Sequence, residues 1–445
     1  MAILKTHITL SEFSYIFIGK EDIGSNQAVD EKTFREIESF VLQNSDTVQY
    51  LKLGQNKLHK YLQAQNYVGV IQTKSGVTIE ILPKIARNTD DNKSKKIMIN
   101  MLKTLKKSPF KSFNMADLKS TNLPLLEIFI TMFLVELEKL IQKGIKSDYI
   151  YKEENLGFLK GKLNIKEHMK HNYVHKERFY VQYQEFIQDR VENRLIKTTL
   201  EYLYQKSKAN SNKKRIREFL FVFDDIKTSH NVKEDFKKVR IDRQMNDYEL
   251  VLQWAKIFLY SNSFSPYKGN DVAFALLFDM NLLFESYVGY MLRKKGLEVA
   301  LQDREHHLAY LESYEGKFQL KPDIIIKHED EVIIADTKWK LLNEDKTHQG
   351  VSQSDMYQLY AYGTKYTNPK CENMYLIYPK NEDNLLEQQY HYEKDLDGLK
   401  LKVLFFDLEN PDEEAFYANF KIFNKSPQQL IPYSPHSASY TATSY

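Results

Sequence analysis

Residues 321–340 read Lys321-Pro322-Asp323-Ile324-Ile325-Ile326-Lys327-His328-Glu329-Asp330-Glu331-Val332-Ile333-Ile334-Ala335-Asp336-Thr337-Lys338-Trp339-Lys340. The pattern predicts a β-hairpin turning at Glu329-Asp330. Opposed positions of a hairpin sum to one constant, so if 328 faces 331 then Asp323 faces Asp336 directly. The strand period of two puts Lys338 on the same face as Asp336. Positions 324–326 and 332–335 are unbroken apolar runs, the mark of strands buried on both faces. A surface hairpin with idle Asp–Lys pairs is the plainer alternative, and carboxylates flanking strands of this kind speak against it.

Two facing carboxylates repel unless something positive lies between them. A hard divalent cation such as Mg²⁺, with Mn²⁺ as a substitute, takes oxygen ligands and keeps waters for chemistry. Phosphodiester hydrolysis needs such a water and a cation for the charge developing on the phosphate. Lys338 would orient or activate the water and stabilise that charge. The spacing therefore nominates Asp323 and Asp336 as metal ligands and Lys338 as their catalytic companion.

Working outward, Met280-Asn281-Leu282-Leu283-Phe284-Glu285 precedes the hairpin, and Glu285 among apolar neighbours is a candidate third metal carboxylate. An exposed helix-face glutamate is the alternative. After the hairpin, Gln358 and Tyr362 share a helix face at i, i+4 and can bind substrate phosphate or support the metal-binding loop. A core tyrosine with an exposed glutamine is the alternative there.

The remaining chain predicts an α+β multidomain protein. Residues 1–86 read as a β-rich domain, with strands at 8–10, 15–18, 67–72 and 77–81 and a helix over 31–42. Residues 87–265 read as mainly helical, with helices over 125–142, 191–204 and 247–259, a short hairpin at 156–165 and a polar loop at 207–214. Residues 266–433 read as an α/β domain with a mixed sheet. It opens on a long helix over 272–295 stopped by Gly296, continues with strands at 318–327, 332–339, 374–378 and 401–406, and has a helix around 352–367. Residues 434–445, rich in Ser, Thr and Tyr, read as a disordered tail.

Composition narrows the function classes. The chain has 445 residues, enough for two or three domains, and its single cysteine, Cys371, excludes an internal disulfide or a multi-cysteine zinc site. One cysteine and no signal peptide point to the cytoplasm. The longest apolar runs, 125–137 and 273–292, are interrupted by Glu, Asp or Asn, so no membrane span is expected. The net charge of +3 says little about partners. Lysine-rich stretches at 93–111, 206–217 and 233–243 permit nucleic-acid binding, although most such lysines are simply solvated. Gly157-Phe158-Leu159-Lys160-Gly161-Lys162-Leu163 is no phosphate loop, having three residues between its glycines and Leu163 where a Ser or Thr must hold the metal. His306-His307 lacks a metal-ligand spacing, and Cys371 has no histidine partner in sequence.

The order Glu285, Pro322-Asp323, Asp336-Thr337-Lys338 and Gln358 with Tyr362 resembles the RecB-like branch of the PD-(D/E)xK nucleases. With Tyr67-Val68-Gly69-Val70, Ile79-Glu80-Ile81-Leu82-Pro83-Lys84, Leu159-Lys160-Gly161-Lys162-Leu163, Tyr183-Gln184-Glu185-Phe186, Glu192-Asn193-Arg194 and Ala335-Asp336-Thr337-Lys338-Trp339-Lys340, it resembles the McrC family, the nuclease subunits of McrBC-type modification-dependent restriction systems. The resemblance spans about residues 67–362. It implies a Mg²⁺-dependent endonuclease acting on DNA, with Glu285, Asp323 and Asp336 on the metal, Lys338 catalytic, and Gln358, Tyr362 and Lys340 toward the substrate. It also implies a partner, an McrB-like AAA+ GTPase that reads modified DNA, docked by the N-terminal region, which stimulates its GTP hydrolysis. The chain departs from many members of the superfamily in carrying Asp336 where they use Glu, one methylene shorter. Two competing readings are a stand-alone RecB-like repair nuclease and a non-catalytic adaptor that activates an AAA+ NTPase.

Overall fold

The computed structural model describes residues 5–43, 49–56, 59–85, 90–105, 108–112, 123–260, 272–328, 331–367, 370–381, 385–394 and 398–420. The turn at 329–330, the 261–270 segment and the tail at 434–445 lie outside the described residues. The chain forms two compact units, Met1–Tyr287 and Val288–Tyr445.

In the first unit, one sheet runs in the order His7–Ser11, Thr78–Leu82, Tyr67–Thr73, Val272–Asp279, and a second in the order Gln27–Val29, Tyr15–Ile18, Lys60–Ala64, Leu51–Gln55. The helix Glu31–Gln43 starts where Asp30 accepts the Thr33 N–H at 3.0 Å, an N-cap bond. Its buried Phe34, Ile37 and Phe40 join Ile8, Ile16, Leu62, Ile71 and Ile79 in one core.

The long helix expected over 272–295 is corrected. Val272–Asp279 is a strand paired antiparallel with Tyr67–Thr73, and the helix is Met280–Lys294. Phe274, Ala275, Leu276, Leu277 and Phe278 are all buried, so the run has neither a helical nor a strand period and the open sheet edge decides. Gly69 makes the pairing possible. At φ 141° its backbone lies so close that a Cβ would sit 2.0 Å from the Leu276 carbonyl oxygen.

The helices expected in the middle of the chain are present as Leu125–Lys143, Val191–Lys206 and Asn246–Tyr260. Two local expectations there are corrected. Lys162–Leu163 does not form a hairpin with its neighbour. It pairs with Phe179–Ile187, which also pairs with Asp148–Leu156, and a left-handed Gly161 fits against Gln182. The polar loop at 207–214 is partly helix, Asn210–Val222. Buried Glu127 accepts the Lys208 and Ala209 N–H groups and the Asn212 amide, a cap supplied from another helix that local sequence cannot reveal. Among the described residues no helix is long and apolar enough to cross a membrane.

The second unit holds a six-stranded mixed sheet ordered Glu298–Leu301, Ile324–His328, Glu331–Thr337, Lys370–Pro379, Lys400–Phe406, Gln389–His391. The first two pairings and the last are antiparallel; the middle two are parallel. Helix Gln353–Gly363 covers the sheet, with Leu359 and Tyr362 packed among Ile325, Ile334, Leu376 and Val403. The single strand expected over 318–327 is corrected to two. Gly316–Gln319 pairs with His307–Tyr310, and only Ile324–His328 enters the main sheet. Phe318 is left-handed at φ 56°, and Pro322 has no N–H to donate, which separates the two.

Candidate active site

The hairpin register matches the sequence expectation. Ile324 pairs with Ala335 and His328 with Glu331, which carries Asp323 opposite Asp336 at the open end of the strands. Ile324, Ile325, Ile326, Ile334 and Ala335 are buried, so the carboxylates emerge from a sheet packed on both faces. Thr337 donates its N–H (2.8 Å) and its hydroxyl (2.9 Å) to Asp323 Oδ2. Asp336 is buried, and among the described residues its Oδ2 has no hydrogen-bond donor. The Lys338 ammonium stands 2.6 Å from that oxygen, an ion pair by distance whose angles fall outside those of a hydrogen bond.

These surroundings set the charges. Burial pushes the Asp336 carboxyl up to about 7, and the facing Asp323 adds to the shift. Burial also raises Asp323, against the pull of its Thr337 donors. Burial opposes the Lys338 ammonium, yet Asp336, Asp355 and Asp323 together hold its pKa above the ordinary lysine value. The three carboxylates thus favour the ammonium form of Lys338.

Helix Gln353–Gly363 supplies the opposite wall. Gln358 accepts from Lys338 through Oε1 at 3.1 Å and donates through Nε2 to the Tyr362 hydroxyl at 2.7 Å. The Tyr362 hydroxyl also donates to the Lys321 carbonyl at 3.3 Å. Tyr362 is buried, as the core-tyrosine alternative required, but its hydroxyl is engaged with the site. Lys340 turns elsewhere and donates to the Gly350 carbonyl at 2.5 Å. Glu285 lies in helix Met280–Lys294 and is buried, which excludes an exposed helix-face glutamate.

Two residues were missed by the sequence reading. Thr337 lies between Asp336 and Lys338, and the strand period of two, which puts it on the other face, gives it no role at the site. Asp355 Oδ1 lies 3.7 Å from the Lys338 ammonium. Its signal was its place one helical turn before Gln358, on the same face.

Among the described residues no group of three His, Cys, Asp or Glu side chains comes together in a metal-binding arrangement. The donor chemistry nevertheless suits a hard dication. Among the described residues Asp336 Oδ2 is buried without a donor, and Asp323, Asp336 and Asp355 all act on the Lys338 ammonium.

The family model described as "McrBC 5-methylcytosine restriction system component" matches residues 62–379. No curated protein matches the chain. Two solved structures from Thermococcus gammatolerans are similar to it. One is a refined half-complex from a tetradecameric assembly of McrB AAA+ hexamers with bound McrC, at 21% identity and TM-score 0.67, covering 90% of this chain and 95% of that one. The other is the McrBC complex, at 20% identity and TM-score 0.50, covering 68% and 90%.

Proposed function

This chain belongs to the family of McrBC 5-methylcytosine restriction system components, and from that premise we propose that it is the DNA-cleaving subunit of a GTP-dependent restriction complex. The observation that carries the reading is the pair Asp323–Asp336 with Lys338 at 2.6 Å, on the mixed sheet of the second unit. The PD-(D/E)xK nuclease reading rests on this grouping. The partner is an McrB-like AAA+ GTPase that selects the modified DNA. The β-rich first residues, 1–86, dock on it and stimulate its GTP hydrolysis.

Asp323 and Asp336 would hold Mg²⁺ through their carboxylates. A bound dication supplies an activated water and neutralises charge on the phosphate. Thr337 fixes the Asp323 carboxylate so that one ligand needs no reorganisation. Lys338 remains protonated and stabilises the negative charge that grows on the phosphate oxygens. Gln358 and Tyr362 keep its ammonium over the carboxylates.

The test is cleavage of 5-methylcytosine-containing and unmethylated plasmid DNA with Mg²⁺, comparing wild type with Asp336→Ala, with and without the AAA+ partner and GTP. Cutting that needs Asp336, methylation, partner and GTP supports the reading. Cutting by the isolated chain indicates a stand-alone nuclease. No cutting, with partner GTP hydrolysis still stimulated, indicates a non-catalytic adaptor.

A further inference from the structure

We infer that Asp355 is a positioning residue, the carboxylate that holds the Lys338 ammonium once a cation occupies Asp323 and Asp336. The inference rests on the nuclease reading above and adds to it a residue and a role. Lys338 sits among three polar partners from two elements: Asp336 Oδ2 at 2.6 Å and Asp355 Oδ1 at 3.7 Å as ion pairs, and Gln358 Oε1, which accepts from it, at 3.1 Å. The shortest of these contacts is to a carboxylate that a bound cation would share. A dication on that carboxylate would repel the ammonium and weaken its main contact. The other partners are Gln358, which is neutral, and Asp355, which is charged.

The surroundings of Asp355 suit that task. It stands in the first turn of helix Gln353–Gly363, where the helix dipole favours a carboxylate. The helix does not use it as a cap, because the Ser352 hydroxyl accepts the Ser354 N–H at 3.2 Å. The other Asp355 oxygen, Oδ2, accepts from the Tyr378 hydroxyl at 3.4 Å. Tyr378 is fully buried on strand Lys370–Pro379, next to the strand that carries Asp336. Among the described residues, the side-chain oxygens of Asp355 thus meet a buried hydroxyl on one side and the catalytic ammonium on the other. A carboxylate this little exposed, at 16% of its side chain, is disfavoured unless it is paired, and Lys338 is the only cation within ion-pair distance of it among the described residues. One backing hydroxyl and a second, longer contact make a holding position beside the main one.

The experiment uses the full chain with its AAA+ partner, GTP and 5-methylcytosine-containing plasmid, and compares Asp355→Asn, Asp355→Glu, Tyr378→Phe and Asp336→Ala. Three quantities are read: kcat against KM for DNA, Mg²⁺ affinity by calorimetry, and the rate at which acetic anhydride acetylates Lys338, followed by mass spectrometry. The expected result for Asp355→Asn is a kcat about tenfold lower, with KM and Mg²⁺ affinity unchanged. Lys338 should acetylate several-fold faster than in wild type when Mg²⁺ is present, and at the wild-type rate in a chelator, where Asp336 still holds it. Asp355→Glu should recover part of the loss, and Tyr378→Phe should show a smaller effect of the same kind. Wild-type cleavage and acetylation in Asp355→Asn would overturn the inference. So would a loss of Mg²⁺ affinity of about tenfold or more, which would make Asp355 a ligand. Asp336→Ala reports on the nuclease reading separately: if it still cuts, that reading fails and the role of Asp355 with it.

Discussion

Thr337 gives both its backbone N–H and its hydroxyl to a single oxygen of Asp323 across the hairpin, at 2.8 and 2.9 Å. One member of the carboxylate pair is thus held by neutral donors from the strand that bears the other. Among the described residues Asp336 Oδ2 has no such donor, and the Lys338 ammonium stands beside it. The pair is symmetric in register and asymmetric in support.

Removing that support tests its value. Thr337→Val keeps the shape and deletes one bond to Asp323, so folding stability should fall by about 1–2 kcal/mol. Cleavage should fall about 10–100-fold, as for other residues that orient metal ligands. Denaturant melts and plasmid cleavage read the two effects.

The raised Asp336 carboxyl makes stability depend on pH. Its folded value, about 7, lies above the ordinary 3.8, so between these values the folded protein binds more protons than the unfolded one. In a chelator its contribution therefore opposes folding progressively as pH rises from about 4 to about 7. Asp336→Asn should melt at or above the wild-type temperature at pH 8, and Mg²⁺ should raise the wild-type midpoint more at pH 8 than at pH 6. A wild type that outlasts Asp336→Asn in chelator at pH 8 would contradict this.

Tyr362→Phe removes a hydroxyl that bonds both Gln358 and the Lys321 carbonyl. Stability should drop by about 1 kcal/mol. Cleavage should drop about tenfold, with Mg²⁺ affinity unchanged, because the loss reaches Lys338 through Gln358. Calorimetry beside a cleavage assay separates these effects.

In the first unit, buried Glu80 meets Lys95 at 2.8 Å and His7 at 3.6 Å. Burial resists its ionisation, but His7 and Lys95 more than offset this and hold its pKa below the ordinary value. Its stabilising contribution is complete above the usual carboxylate range and is lost as pH falls through the depressed folded value. Lys95→Ala leaves the carboxylate buried without its ammonium and should cost about 3–5 kcal/mol in a denaturant melt at neutral pH.

A chain starting after residue 86 is expected to aggregate. Such a cut removes Tyr67–Thr73, the strand against which Val272–Asp279 pairs, and leaves an apolar edge open. Light scattering on the truncated chain checks this. Point changes in residues 1–86 are therefore the cleaner probe of partner stimulation.

The hairpin register, the burial of its strands and the meeting of Asp336 with Lys338 were all legible in sequence, because a two-residue turn and a period of two leave one pairing. Gln358 and Tyr362 followed from helical spacing. The strand at 272–279 was not legible, since five consecutive buried apolar residues fit helix or strand alike and only the sheet edge far away in sequence decides. The helix at 210–222 depended in the same way on Glu127, more than eighty residues earlier. Asp355 and Thr337 escaped because their roles lie in what they do for another side chain, and spacing registers only the side chain itself.

The late arrival of Val272–Asp279 also bears on synthesis. Its first partner, Tyr67, leaves the ribosome some two hundred residues ahead of Asp279. At translation speeds of about 5–20 residues per second, the gap lasts roughly 10–40 s. During that time Tyr67–Thr73, paired with Thr78–Leu82 on one side, presents its other edge open, and its residues end up almost entirely buried. The sheet of the first unit is thus completed only once Val272–Asp279 has been made, long after its other three strands.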